Sequence, residues 1–245
     1  MSDPLIVDLC GGAGAAAGGY MRAGFRVLGI DIAPQLNYPG PFMQADITNA
    51  PIAEIIEVSG AVAVHFSPPC QKWSRLAYYQ PELIDDKYPD LIGPGREMLL
   101  AVQARLGIPF VIENVPQAPL INPVLLCGTM FPDLKVWRHR HFEAHGFTIT
   151  QPPHLPPADH PKCIRNGYLP TAERPFMSIH GGKHSRAWQR KACEVMGAPW
   201  MIARPGPEAL KAGIAEVSEA IPVQYTEYVG LELMDALSPE QVAAA

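Results

Sequence analysis

The sequence is most restrictive in what it lacks. Over 245 residues no apolar run approaches the ~20 residues that a membrane-spanning helix needs. Met1-Ser2-Asp3-Pro4 has no basic stretch leading into an apolar core, so the N-terminus does not look like a signal peptide. The five cysteines (Cys10, Cys70, Cys127, Cys163 and Cys193) are odd in number, widely spaced and contain no C-x-x-C pair. That pattern excludes a disulfide framework and points to a reducing, cytoplasmic compartment. No internal repeat is present, which excludes a solenoid or propeller. Overall basicity is missing too: the net charge is −5, against a simple nucleic-acid-binding composition. What remains, with 48% hydrophobic and 18% charged residues, is a globular chain long enough for one sizeable α/β domain, or a large and a small one. A fold of this size buries about 70% of its unfolded surface and needs no covalent staple.

The charge is unevenly placed. Residues 135–190 hold nine Lys and Arg against three Asp and Glu, whereas the rest holds ten against twenty-one. Seven of the eight histidines share the basic segment. This asymmetry predicts a basic face for a polyanion on an otherwise acidic protein.

Short apolar runs alternate with helical patterns through the first 114 residues. Strands are expected at Leu5–Leu9, Phe25–Ile30, around Phe42–Ala45, at Ala61–Phe66 and at Pro109–Ile112. Helices are expected at Ala15–Ala23, Ile52–Val58 and Gly95–Leu106. Such alternation predicts an α/β fold with a doubly wound, mostly parallel sheet. The pattern breaks after Phe142, and residues 151–161 (QPPHLPPADHP) carry five prolines in eleven positions, a rigid irregular segment. Helices return at Ala187–Met196 and Pro222–Met234. The expected organisation is a sheet domain over 1–142, a small irregular basic insert over 143–186, and a return to the sheet domain over 187–245.

Candidate chemistry sits at the strand ends. Asp8-Leu9-Cys10-Gly11-Gly12-Ala13-Gly14 joins the first strand to the first helix, where glycines let a ligand approach the backbone. Asp31 ends the second strand, the position of a carboxylate accepting bonds from ribose hydroxyls, and Asp46 ends the third segment. The turn lacks the G-x-G-x-x-G spacing of dinucleotide sites. An adenosine ligand without a phosphate to cradle, S-adenosylmethionine, suits it better than NAD. After the fourth strand comes Ser67-Pro68-Pro69-Cys70-Gln71-Lys72-Trp73-Ser74. Two prolines end sheet pairing and present the thiol just beyond it. Residue type alone leaves Cys70 open as a nucleophile, a metal ligand or a packed thiol.

Taken in order, DLCGGAG at 8–14, GID at 29–31, ADI at 45–47, SPPCQKWS at 67–74, ENV at 113–115 and RHRHF at 138–142 resemble the DNA (cytosine-5)-methyltransferase family. RKACEVMGAP at 190–199 and IPVQYTEYVG at 221–230 are weaker matches, and together the pieces span most of the chain. The resemblance implies a methyltransferase fold and methyl transfer from S-adenosylmethionine to C5 of cytosine in double-stranded DNA, through a covalent adduct with Cys70 on a flipped base. It implies catalytic roles for Cys70, Glu113, Arg138 and Arg140. It implies a cofactor site made by Asp8, Cys10, Gly12, Ala13, Gly14, Asp31, Ile32, Asp46 and Ile47. Ser74 and Arg75 just past the nucleophile, with Lys183, His184 and Arg186 in the basic segment, are the expected nucleic-acid contacts. A monomer acting on DNA is implied, and a cognate restriction endonuclease is allowed for.

This sequence departs from the family in places. Cys10 replaces the phenylalanine that packs on adenine, Val136 replaces a glutamine, Ile221-Pro222-Val223 replaces a double-proline run, and the recognition insert is short. Rival readings are an amino-methyltransferase, which would carry an aromatic residue where Cys70 stands, the same C5 chemistry on RNA, and a silent binding module. His154, His160 and Cys163, spaced H-x5-H-x2-C, match no zinc pattern, and no metal is expected.

Overall fold

The computed structural model describes residues 3–74 and 88–237. Strands β1 (Leu5–Leu9), β2 (Arg26–Asp31), β3 (Phe42–Gln44), β4 (Ala63–Phe66) and β5 (Phe110–Asn114) lie parallel. They share one sheet with β6 (Val124–Leu126) and β8 (Arg140–His145), in the order β3-β2-β1-β4-β5-β8-β6. Only β8 runs antiparallel to its neighbours. The mostly parallel α/β sheet expected from the alternating pattern is therefore present. A second, small sheet is made by β7 (Val136–Trp137), β10 (Phe176–Ser178) and β9 (Cys163–Ile164).

Both faces of the large sheet are covered, as parallel strands require. The period-2 alternation of each strand assigns its side chains. Val7 and Leu9 of β1, Val64 and Phe66 of β4, and Phe110 and Ile112 of β5 pack on one face. There they meet Ile52 and Ile56 of α2 (Ile52–Ser59) and Leu99 and Val102 of α3 (Ile92–Leu106). Each such burial contributes about 1.5–3 kcal/mol. Ile6, Ala63 and Val111 point to the opposite face, toward α1 (Ala15–Arg22), α4 (Arg186–Met196) and α6 (Val223–Ala236). The same parity sends Asp8 and His65, paired in register, to this second face.

Helices α1 and α6 approach closely because of glycine. A Cβ on Gly19 would stand 2.5 Å from the Glu227 nitrogen and overlap the Val223 carbonyl, so no larger residue fits. Gly230 of α6 answers from the other side, where a Cβ would stand 2.7 Å from that of Ala23.

Three features differ from the sequence expectations. Residues Ile92–Leu106 form a longer helix than the expected Gly95–Leu106, because Asp90 Oδ1 accepts the Ile92 N–H and starts it early. Strand β8 continues past Phe142 to His145, held by β5 on one side, so the 142/143 division falls within a strand. A helix with no counterpart in the sequence expectations, α5 (Pro207–Glu219), follows α4. It carries Pro at its first turn and buries only Gly213, Ile214 and Val217, a weak apolar stripe. Among the described residues no helix is long and apolar enough to cross a membrane.

Candidate active site

The glycine turn is held in place by its own backbone and by a tyrosine beneath it. Cys10 and Gly11 donate their N–H groups to the Ile30 carbonyl at 2.8 and 3.3 Å, tying the turn to β2. Cys10 takes a left-handed φ of 58°. At the end of β2, Asp31 accepts the Gly12 N–H through Oδ2 and the Ala33 N–H through Oδ1, both at 3.0 Å. Asp8 is fully buried under the turn and accepts the Tyr38 hydroxyl at 2.9 Å. A Cβ on Gly11 would stand 2.7 Å from Asp8 Oδ2, which is why a glycine sits there. Burial pushes the Asp8 carboxyl up to about 7; the Tyr38 hydrogen bond opposes the rise, and the charges of Asp31 and Glu113 add to it. Burial also pushes the Cys10 thiol up, with Asp31 and Asp8 in the same sense.

The proline pair is positioned from the next strand. Asn114, almost fully buried at the tip of β5, donates its side-chain amide to the Pro68 carbonyl at 2.9 Å and accepts the Val115 N–H at 2.9 Å. Cys70 then begins a short 3-10 turn, Gln71–Trp73, and accepts the Trp73 N–H at 3.0 Å. Its half-buried thiol packs near Ile92, Val115 and Ala118. Burial raises the Cys70 thiol, Arg140 lowers it, Glu113 raises it and Arg138 lowers it, for a net rise.

Glu113 and Arg140 come from adjacent strands. Arg140 Nε lies 3.0 Å from Glu113 Oε1, with side chains only 11% and 7% exposed, so water screens the pair little. That oxygen is buried and, beyond the charge contact with Arg140, takes no aligned hydrogen bond. Burial raises the Glu113 carboxyl; Arg140, a Ser67 hydrogen bond and Arg138 pull against it. Arg138 is a strut rather than a second lining arginine. It donates to the Ile179 carbonyl at 2.8 Å and the Ser218 carbonyl at 2.6 Å, and its own carbonyl accepts the Tyr225 hydroxyl. Burial depresses its guanidinium to about 9, with Arg140 adding to the fall.

A single cavity of about 500 Å³ touches both groups. Its lining includes Cys10, Gly12, Ala13, Asp31 and Ile32 from the glycine turn and the end of β2, and Ser67, Cys70, Glu113 and Arg140. Asp8 and Gly14 lie below the turn and shape it without lining the cavity; a Cβ on Gly14 would overlap Pro39. Asp46 and Ile47 do not line it either. Both Asp46 oxygens are engaged within its own turn, by the Thr48 N–H and hydroxyl and the Asn49 amide. Sequence reasoning missed Glu216 and Glu219, which reach the cavity from α5. Burial raises both carboxyls; Asn37 hydrogen bonds oppose this at Glu216, while Asp31 adds to it at Glu219.

It also missed His65. Period 2 places His65 of β4, and Ser67 just past its end, on the same face as Glu113 of β5, and hydrogen bonds join them. The Tyr20 hydroxyl lies 2.9 Å from His65 Nδ1, His65 Nε2 lies 2.7 Å from Ser67 Oγ, and Ser67 bonds Glu113. With Ser67 donating to the carboxylate, Nε2 carries the imidazole proton and Nδ1 accepts from Tyr20. Burial depresses His65 to about 3. The folded protein thus keeps His65 neutral, while the unfolded chain protonates it below about 6.5. The unfolded state binds more protons, so stability is lost as pH falls from about 6.5 toward 3. Between pH 7 and 4.5 His65→Gln should shed roughly 2 kcal/mol of the wild type's acid loss. Denaturant titrations at the two pH values check this, and equal losses in both proteins would refute it.

The expected nucleic-acid contacts have separate local roles. Ser74 donates to the Gln71 carbonyl at 2.9 Å, and Arg75 lies outside the described residues. Lys183 is exposed, and the His184 ring lies against Trp188, tilted by 32° with centroids 3.9 Å apart. The Arg186 guanidinium donates to the carbonyls of Ala203, Arg204 and Gly206, each at 2.9 Å, so it braces the entry to α5.

Neither a protein-family model nor a curated protein matches the sequence. Solved structures do match in fold. A DNMT2 mutant from Spodoptera frugiperda, 12% identical, aligns over 95% of this chain and 100% of that chain with a TM-score of 0.63. The Dnmt2 methyltransferase of S. pombe is 14% identical, over 95% and 98% of the two chains, at 0.59. A candidate DNA modification methyltransferase encoded within an E. coli prophage is 12% identical, over 95% and 99%, also at 0.59. At these identities the likeness is one of fold.

Proposed function

We propose that the chain is an S-adenosylmethionine-dependent methyltransferase that methylates C5 of cytosine in DNA through a transient Cys70 adduct. The observation that carries this reading is the shared cavity: the glycine turn with Asp31 and the Cys70–Glu113–Arg140 group open into the same space. The fold neighbours that carry methyltransferase names support it.

The residues fit the cofactor. A volume of about 500 Å³ suits an adenosyl ligand. Space above Gly12 is open, since a Cβ there would meet nothing within 4 Å. Asp31 stands where ribose hydroxyls would donate. Glu216 and Glu219 line the same cavity and would favour a cationic ligand. When bound, the cofactor supplies an electrophilic methyl group.

The chain's own residues prepare the base. Cytosine C5 is a poor nucleophile until Cys70 Sγ, as thiolate, adds to C6 and pushes electron density into the ring. Glu113 meets that charge by holding a proton at N3, and burial has already shifted its carboxyl toward the protonated form. Arg140, paired with Glu113, would orient the base through O2 and offset the thiolate's charge. Once C5 carries the methyl group, a base, for which a water molecule in the cavity would serve, takes the C5 proton, and the electron pair left behind expels Sγ as thiolate and restores the aromatic ring. Asn114 would keep Sγ in place by anchoring the proline pair, and Arg138 would fix the β7–β8 connection that leads into Arg140. The target carbon is inaccessible in a stacked duplex, so the base must be extruded, at a few kcal/mol. The basic segment, with Lys183 exposed on it, is the surface proposed to hold the flanking strand.

Nucleoside mass spectrometry tests this reading. Duplex DNA and RNA incubated with the protein and S-adenosylmethionine should yield 5-methylcytosine in DNA. N4-methylcytosine or N6-methyladenine would defeat the C5 assignment, and 5-methylcytosine confined to RNA would move the substrate.

A further inference from the structure

We propose that Cys127, His139 and His154 form a zinc site, outside the cavity, that clamps the proline-rich segment to the β7–β8 connection holding Arg138 and Arg140. The three come from separate parts of the chain. Cys127 directly follows β6, His139 sits between Arg138 and Arg140 where β7 passes into β8, and His154 belongs to the proline-rich segment 151–161. The fold gathers one ligand atom from each to within 4.8 Å of the others. A tetrahedral zinc, with bonds of about 2.3 Å to sulfur and 2.0–2.1 Å to imidazole, holds its donors roughly 3.3–3.8 Å apart. Side-chain adjustments of about 1 Å close that gap.

The donor set itself selects the metal. One thiolate and two imidazoles suit zinc and similar borderline ions, whereas calcium and magnesium take oxygen ligands. A second observation points to a missing ligand: His154 Nε2 is buried and has no hydrogen-bond partner. A buried imidazole nitrogen with nothing to bond is costly unless a metal or a donor meets it. Cys127 is 1% exposed, and the Thr129 hydroxyl donates to its sulfur at 3.3 Å, the kind of outer contact that supports a metal thiolate. The fourth position falls to water, since the nearby His160 engages the Leu155 carbonyl through Nε2 at 2.7 Å and lies outside the cluster. Cys163, which the sequence spacing groups with His154 and His160, belongs to β9 and not to this cluster.

None of the three ligands lines the cavity, so the site stands apart from the proposed methyl transfer. Its role would be to hold an irregular segment that has little regular structure of its own.

Metal content tests the site directly. Protein made without a histidine tag, expressed with added zinc and dialysed, should contain about one zinc per chain by elemental mass spectrometry. Cobalt(II) substituted for it should show a thiolate-to-metal charge-transfer band in the near ultraviolet. His154→Ala and Cys127→Ser should each reduce bound zinc to less than about a tenth and abolish the band, while Cys163→Ser retains both. The wild-type cobalt spectrum needs no variant, so it decides the matter even if Cys127→Ser fails to fold. Wild-type protein without stoichiometric metal, a cobalt spectrum without the thiolate band, or metal that persists in His154→Ala as an adventitious ion only, would each overturn the proposal.

Discussion

Cys70→Ser is expected to lower methyl transfer by about 10⁴-fold or more while leaving the protein folded. The proposed reaction needs a sulfur nucleophile at C6. A serine hydroxyl at the same place stays protonated at any usable pH and adds poorly to a pyrimidine. Burial already raises the Cys70 thiol, so the resting side chain is neutral, and Arg140 and Arg138 are the groups that pull it toward thiolate. Serine gains nothing comparable from those two arginines. The structural cost should be small. Cys70 is only partly buried, at the edge of a small cluster with Ile92, Val115 and Ala118, and its turn is held through backbone atoms and Asn114. A loss of under about 1 kcal/mol is expected, read from denaturant unfolding. Turnover is read by methyl incorporation. Covalent capture on a duplex carrying 5-fluorocytosine, which blocks the last step, should appear with Cys70 and vanish with serine. Residual methylation within tenfold of wild type would sink the nucleophile assignment.

Glu113→Gln should cost about 10²–10³ in turnover. Glutamine matches the carboxyl in size and can still accept from Ser67, but it cannot carry a proton to N3 on an acidic oxygen. It also leaves Arg140 without the carboxylate that lies 3.0 Å from its Nε. The loss should fall mainly on kcat, because the electrostatic demand at N3 arises as the ring takes up charge. A pH profile adds a second readout. If protonated Glu113 is the working form, wild-type activity declines above its raised pKa, and the variant lacks that decline. A variant with wild-type kcat and an unchanged profile would remove Glu113 from the chemistry.

The site residues that sequence could reveal are those carried by one strand and the turn after it. Cys70, Glu113 and Asp31 each sit at or just past a strand end, and a parallel sheet brings such ends to one edge. Strand-end position singled out Asp31 and the Cys70 loop, whereas Cys10, Ile32, Glu113 and Arg140 came from the family resemblance; all of them, with Gly12 and Ala13, line one cavity. Asp46 shares that position yet does not line the cavity; its carboxylate closes its own turn on Thr48 and Asn49. Tyr38 was not legible, because its role depends on the space left by Gly14 and Gly29. His65 could have been found: a histidine inside an apolar run, out of phase with Val64 and Phe66, must face a polar partner on the other side. Glu216 and Glu219 were hidden because α5 has too weak an apolar stripe to stand out as a helix. Cys127, His139 and His154 lie on three segments, and only the folded chain brings them together.

The glycine contact between α1 and α6 has a consequence for biosynthesis. Residues near position 19 find their seat only on a helix made more than 200 residues later. A ribosome delivering this chain must release it through α6 before the first βα unit can dock. The N-terminal half would wait with its apolar flank uncovered, dependent on chaperones and prone to aggregate if translation stalled. A fragment ending ahead of Val223 should accordingly be insoluble, however complete its glycine turn and thiol loop look on paper.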